Sequence, residues 1–177
     1  NKKRLYARHP FTISSAPGQQ NLRFTIKNTG RFTKAALNLK LGDEVVVEGP
    51  FGIFTLKDNT PNLLLIAGGV GIAPFLSIIK NLQLENKKIN VILFYGSKTK
   101  EDIICKKKLD NIKENWLKKI YVINDHITES LIKKYVKDIT RFSCYICGPE
   151  PMKKNVKKSL YNLGVKKRDI IIEDFFW

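Results

Sequence analysis

The chain has 177 residues, 43% hydrophobic and 27% charged, a balance that excludes a disordered or low-complexity protein and allows one or two small domains with a core of their own. Its longest apolar runs, around residues 63–67 and 89–95, stop well short of the ~20 residues that cross a bilayer. A net charge of +16 suits an acidic protein, an anionic membrane surface or nucleic acid, but the lysines are scattered among Asn and Ile, as a lysine-rich background composition alone would leave them, rather than gathered into a stripe with exposed aromatics, which argues against nucleic acid.

The first sixty residues have an all-β texture. Short strands are expected at 11–15, 22–27, 44–48 and 53–56, separated by Pro17-Gly18, Thr29-Gly30 and Leu41-Gly42-Asp43, with one short helix at 34–39. A polar stretch at 58–62 containing Pro61 suggests a boundary between a partial domain at 1–58 and a second domain at 59–177. From there branched apolar runs at 63–67, 90–95, 120–124, 143–147 and 169–174 alternate with amphipathic segments at 74–84, 100–115, 129–137 and 151–163. That alternation predicts a parallel five-stranded sheet with flanking helices. Three cysteines, Cys105, Cys144 and Cys147, cannot all pair, and nothing at the start reads as a signal region, so a reducing, cytoplasmic setting is expected.

Strand 63–67 runs into Gly68-Gly69-Val70-Gly71-Ile72-Ala73-Pro74 and then a helix. Glycines at a strand-to-helix turn let backbone approach a phosphate, the helix start offers unpaired N–H groups, and Pro74 suits the first helical turn. The spacing departs from Gly-x-Gly-x-x-Gly, and a purely structural tight turn is the alternative. Cys147-Gly148-Pro149 follows a later strand of the same sheet, at the strand ends where ligands sit in such folds, although a glycine and a proline also make an ordinary turn. Cys144 and Cys147 lie three apart on a strand, on opposite faces, which argues against a redox pair or a metal site. Earlier, His9-Pro10-Phe11-Thr12 places rings and a hydroxyl at a strand start, where a core role for Phe11 is the plain reading. Gly30-Arg31-Phe32-Thr33 offers a glycine turn, a cation and a helix-capping hydroxyl.

Taken in order, His9-Pro10-Phe11-Thr12, Gly30-x-x-Thr33, Gly49-Pro50-Phe51-Gly52, Gly68-Gly69-Val70-Gly71-Ile72-Ala73-Pro74, Phe94-Tyr95-Gly96-Ser97-Lys98 and Cys147-Gly148-Pro149-x-x-Met152 resemble the ferredoxin-NADP reductase superfamily. Within it, the opening from His9 to Pro17 looks most like the dehydrogenase domains of ferric reductases and NADPH oxidases. The resemblance implies a nucleotide-binding α/β domain preceded by part of an antiparallel β-barrel that binds flavin, and it implies FAD and NADPH as cofactors. It would set Phe11 against the isoalloxazine, Thr12 near its N5, and His9, Pro10, Arg31 and Thr33 at the flavin and its phosphates. Gly68, Gly69, Gly71 and Pro74 would line the nicotinamide dinucleotide's pyrophosphate site, with Gly148 and Pro149 beside it. Cys147 would lie near the nicotinamide ring, with Glu173 and Phe175 as the family's closing acid and aromatic.

The same resemblance implies an NAD(P)H-dependent flavoprotein oxidoreductase. Its electrons would pass to heme in a linked membrane domain or to an acidic redox protein, on the cytoplasmic side of a membrane. A non-catalytic interaction module of the same fold, or a soluble ferredoxin or flavin reductase, is the alternative. Few residues precede His9 compared with a whole barrel, so a fragment of a longer protein is expected. At the end of the second strand of the α/β domain, Ser97 and Lys98 offer a donor and a cation where an acid would favour NADH, which points to NADPH, the alternative being that Lys98 is one of many solvated lysines.

Overall fold

A computed structural model describes residues 8–57, 60–87 and 89–174. Its centre is a five-stranded, wholly parallel sheet of β1 (Asn62–Gly68), β2 (Asn90–Ser97), β3 (Leu117–Ile123), β4 (Ser143–Cys147) and β5 (Ile170–Ile172), in spatial order β3-β2-β1-β4-β5. The chain winds outward from β1 through β2 to β3, then returns to the other side of β1 for β4 and β5. That reversal leaves a crevice at the carboxyl ends of β1 and β4, whose residues Ala67 and Cys147 are paired.

Strand β1 is apolar on both faces because helices cover both. Leu63, Leu65 and Ala67 pack with Val91, Leu93 and Tyr95 of β2 and with Phe75, Ile79 and Leu82 of α2 (Ala73–Leu84). Leu109 of α3 (Lys106–Asn111) joins the same side. Leu64 and Ile66 point the other way, against Ile132 of α4 (Glu129–Tyr135) and Val156 and Leu160 of α5 (Glu150–Asn162). This is the layering that an alternation of apolar runs and amphipathic helices demands.

Three elements of this half differ from the sequence reading, one of them the strand expected at 169–174, which shortens to Ile170–Ile172. The helix expected over 100–115 shrinks to Lys106–Asn111, because Thr99 and Asp102 close a side-chain turn before it and Cys105 sits in the left-handed region at φ 58°. Strand β3 starts at Leu117, three residues earlier than expected, because Lys118 and Lys119 disguise an edge strand. Lys119 folds over to donate from Nζ to the carbonyls of Leu109 and Ile112, at 2.8 and 2.6 Å, closing the end of α3.

The correction is larger before the sheet. None of the strands expected at 11–15, 22–27, 44–48 and 53–56 forms a ladder among the described residues; one antiparallel bridge, Ile13 with Phe24, takes their place. The helix expected at 34–39 is α1 (Arg31–Ala36). Extended backbone becomes a strand only by pairing, and Val46 and Ile53 are 91% and 95% exposed, with no neighbouring strand to cover them among the described residues. Part of the expected boundary, residues 58 and 59, lies outside the described residues. Contacts to α2 and to the sheet nonetheless hold this segment: Ser77 Oγ donates to the Ser15 carbonyl at 2.7 Å, Tyr145 Oη donates to the Thr55 carbonyl and accepts from the Lys57 N–H, and Phe54 packs on Phe75 and Tyr145.

Candidate functional site

Strand β1 ends in a single 3-10 turn, Gly69–Ile72, that leads directly into α2, with Pro74 buried in its first turn. The glycines of this turn do different work. A Cβ on Gly71 would lie 2.2 Å from the Cys147 carbonyl oxygen, and one on Gly68 would lie 2.6 Å from Met152 Sδ and 2.8 Å from Pro149 Cδ. A Cβ on Gly148 would lie 2.9 Å from the backbone nitrogen of Gly68. Gly68, Gly71 and Gly148 therefore let two neighbouring strand-end turns interlock backbone to backbone. Among these glycines Gly69 alone combines a left-handed φ of +53° with open space where a side chain would project. It is the position where a ligand's phosphate has room to reach the backbone at a helix start. The turn thus fits a pyrophosphate.

The Tyr95 hydroxyl, buried behind this turn, donates to the Gly69 carbonyl at 3.0 Å and accepts from the Ile104 N–H at 3.1 Å. Burial drives its pKa up to about 12, so it stays a neutral donor. Past Tyr95, Ser97 is half-buried at the end of β2, its carbonyl accepting from the Asn124 N–H, and Lys98 is exposed. The nearby Asp102 carboxylate accepts from Thr99 Oγ1 at 3.0 Å.

At the other strand end Cys147 is 1% exposed, its thiol among the apolar residues on the α2 side, while Cys144 faces the α4–α5 side. Burial first, and the nearby Glu173 carboxylate second, raise the Cys147 thiol to about 12. Glu173 lies just past β5, its N–H donating to the Ile146 carbonyl at 2.9 Å. Its own pKa is raised by burial and by Asp174, with Lys153 pulling the other way. Phe175 lies outside the described residues.

The residues expected to meet the flavin form a separate group. Phe32 stacks on Phe11, with ring centroids 5.9 Å apart, and meets the His9 ring at 3.9 Å. Pro10 and Arg31 are exposed, and Thr12 is half-buried. Thr33 is not the helix cap expected: α1 starts earlier, Gly30 caps it, and Thr33 Oγ1 accepts from the N–H groups of Thr29 and Gly30 at 3.0 Å each. That hydroxyl shapes the glycine turn.

Sequence reasoning missed Phe32, the Tyr95 hydroxyl and Lys153. Phe32 stands within the segment Gly30-Arg31-Phe32-Thr33, but nothing there directs its ring to Phe11. Tyr95 stood inside a quoted motif, but nothing in one dimension shows where its oxygen reaches. Lys153 could have been found, since it shares a helical stripe with Val156 and Leu160, a place where a lysine must find partners.

The family described as "Oxidoreductase NAD-binding domain" matches residues 65–158, just over half of the chain. Flavohemoprotein B of Dictyostelium discoideum is 32% identical over 99% of this chain and 47% of that protein. NADH-cytochrome b5 reductase 1 of Kluyveromyces lactis is 31% identical over 87% of this chain and 60% of that protein. The chain thus spans about half the length of the curated relatives it matches. Among solved structures, ferredoxin-NADP+ reductase from Plasmodium falciparum shares the fold with a TM-score of 0.80 at 23% identity, covering 93% of this chain and 76% of that one. The chain belongs to the oxidoreductase NAD-binding domain family and has the fold of the ferredoxin-NADP reductases.

Proposed function

We propose that this chain is the nicotinamide-binding part, with a portion of the flavin site, of a flavoprotein oxidoreductase that takes reducing equivalents from NADPH and delivers them to a heme or iron–sulfur acceptor. The observation that carries the reading is the turn at Gly69: open to a ligand, left-handed, at a helix start, and braced from behind by the Cys147–Gly148 turn. The names of the relatives support it, one being a flavohemoprotein and another an NADH-cytochrome b5 reductase.

When bound, the two cofactors supply hydride transfer and its division into single electrons. The chain's residues hold them. Gly69 and the N–H groups of the following turn receive the pyrophosphate, with Gly68, Gly71, Pro74, Gly148 and Pro149 fixing the backbone that does so. Cys147, as a neutral thiol, and Glu173 form the wall at the nicotinamide end. Phe11, backed by Phe32, offers a face to the flavin ring, Thr12 a hydrogen bond to its edge, and His9, Pro10 and Arg31 the surroundings of its phosphates. Thr33 acts through the Gly30 turn.

NADPH is preferred over NADH in this reading because Lys98 is an exposed cation just past the end of β2, while one oxygen of the Asp102 carboxylate already accepts from Thr99. Lysine lacks arginine's forked donors, so the preference is modest. The acceptor is placed in a linked membrane heme domain or an acidic redox protein, with the +16 charge favouring an anionic partner or membrane surface on the cytoplasmic side. Among the described residues no helix is long and apolar enough to cross a membrane.

The test is an absorption spectrum of the full-length protein: a flavin spectrum bleached anaerobically by NADPH is expected. Full-length protein that neither carries flavin nor is reduced by either nicotinamide would overturn the proposal.

A further inference from the structure

Resting on the reading of Gly69 as the pyrophosphate turn, we infer that Tyr95 is a positioning residue that sets the binding geometry of that turn and couples it to the loop on the ribose side. The Tyr95 side chain is fully buried between β2 and the helices on the α2 side. Its hydroxyl has one proton to give, and gives it to the Gly69 carbonyl at 3.0 Å; it accepts from the Ile104 N–H at 3.1 Å. Both partners are backbone atoms of neighbouring strand-end segments, the turn after β1 and the loop after β2. Neither bond belongs to the sheet or to a helix.

The consequence follows from peptide geometry. The Gly69–Val70 peptide is planar and trans, so a Gly69 carbonyl drawn inward to Tyr95 turns the Val70 N–H away from it. Gly69 at φ +53° has no side chain to fix its own conformation, so the hydroxyl supplies the constraint that glycine lacks. The second bond ties down Ile104 in the loop that follows β2, runs through Lys98 and ends at left-handed Cys105. One buried oxygen therefore holds the phosphate turn and the loop beside the ribose in a common frame.

Tyr145 supplies the control. It is equally buried, and its hydroxyl also bridges two backbone atoms, donating to the Thr55 carbonyl at 3.1 Å and accepting from the Lys57 N–H at 2.9 Å. Those atoms lie in the segment preceding the sheet, and neither belongs to the Gly69 turn or to the loop at Ile104. Tyr95→Phe and Tyr145→Phe remove the same atom from similar surroundings.

The experiment titrates full-length protein and both variants with whichever of NADP+ and NAD+ the parent binds better, by calorimetry. Tyr95→Phe should weaken nucleotide binding by about fivefold or more, the size expected when buried polar groups lose a partner, and Tyr145→Phe should leave it within about twofold. Parent-like binding by Tyr95→Phe, or equal weakening by both variants, would overturn the inference. A parent that binds neither nucleotide would instead remove the functional reading on which it rests. Should Tyr95→Phe fold poorly, amide hydrogen exchange in the parent reads the same link. Nucleotide binding should slow exchange at Ile104 together with residues 69–71, and a response at 69–71 with none at Ile104 would overturn the coupling.

Discussion

The Lys153 ammonium, buried on the inner stripe of α5, donates to the backbone carbonyl of Glu173 at 3.2 Å and also pairs with the Asp174 carboxylate. Glu150, one turn earlier on α5, adds a second carboxylate at 2.9 Å. One helix thereby fastens the chain just beyond β5 beside the Cys147 turn.

Lys153→Met keeps the length and apolar stem but removes the charge. Asp174 is 38% exposed, so solvent partly rescues it, and the loss should be about 1–3 kcal/mol rather than the larger cost of a fully buried pair. Urea unfolding measures this, and amide exchange at Glu173 should speed up in the variant. An unchanged midpoint with unchanged exchange would show that the clamp holds nothing.

Gly69 and Gly71 should separate function from folding. Gly71→Ala drives a methyl into the Cys147 carbonyl and should cost about 3 kcal/mol or prevent folding. Gly69→Asn finds open space and a residue type that tolerates the left-handed region, so the fold should survive while nucleotide binding weakens about tenfold or more. Gly69→Val adds about 1–2 kcal/mol of backbone strain to the same obstruction. Thermal melts beside nucleotide titrations read both effects, and wild-type affinity in Gly69→Asn would move the phosphate elsewhere.

The cysteines should differ in reactivity. Cys144 and Cys147 are buried, with thiols pushed up to about 12 by burial first, whereas Cys105 is half-exposed. Because the thiolate is the reacting form, iodoacetamide at pH 8 should label Cys105 well before the other two, as read by mass spectrometry of timed digests. Cys147→Ala should slow flavin reduction in stopped flow while leaving flavin occupancy intact. An unchanged reduction rate would leave Cys147 with packing alone.

The same two thiols predict alkaline sensitivity. Their folded pKa of about 12 stands above the ordinary 9.0, so the folded state binds their protons more tightly than the unfolded chain does. Their contribution to stability is complete below pH 9 and declines as pH rises from 9 toward 12. For Lys153, burial lowers the pKa, but the bonds to Asp174 and Glu150 outweigh it and leave the pKa raised, so its contribution is likewise lost on the alkaline side. Unfolding midpoints should fall between pH 9 and 11, less steeply in a Cys144→Ala, Cys147→Ala double variant; equal slopes would contradict the assignment.

The sequence by itself determined the α/β half of this protein. Strands covered on both faces must be continuously apolar, and helices covered on one must be periodic, so β1, β4, α2 and α5 were readable within a residue or two. The glycine turns at Gly68–Gly71 and Cys147–Gly148 were readable as turns at strand ends for the same reason: the apolar run stops where glycine begins. Tertiary structure alone decided which glycine does what, since interlocked backbone at Gly71 and open space at Gly69 depend on atoms some eighty residues apart in the chain. It alone directed the Tyr95 hydroxyl to two loops and the Lys153 ammonium to the chain end. The strands expected before residue 57 do not form ladders among the described residues because pairing, unlike periodicity, is a property of two segments, and there only Ile13 and Phe24 bridge.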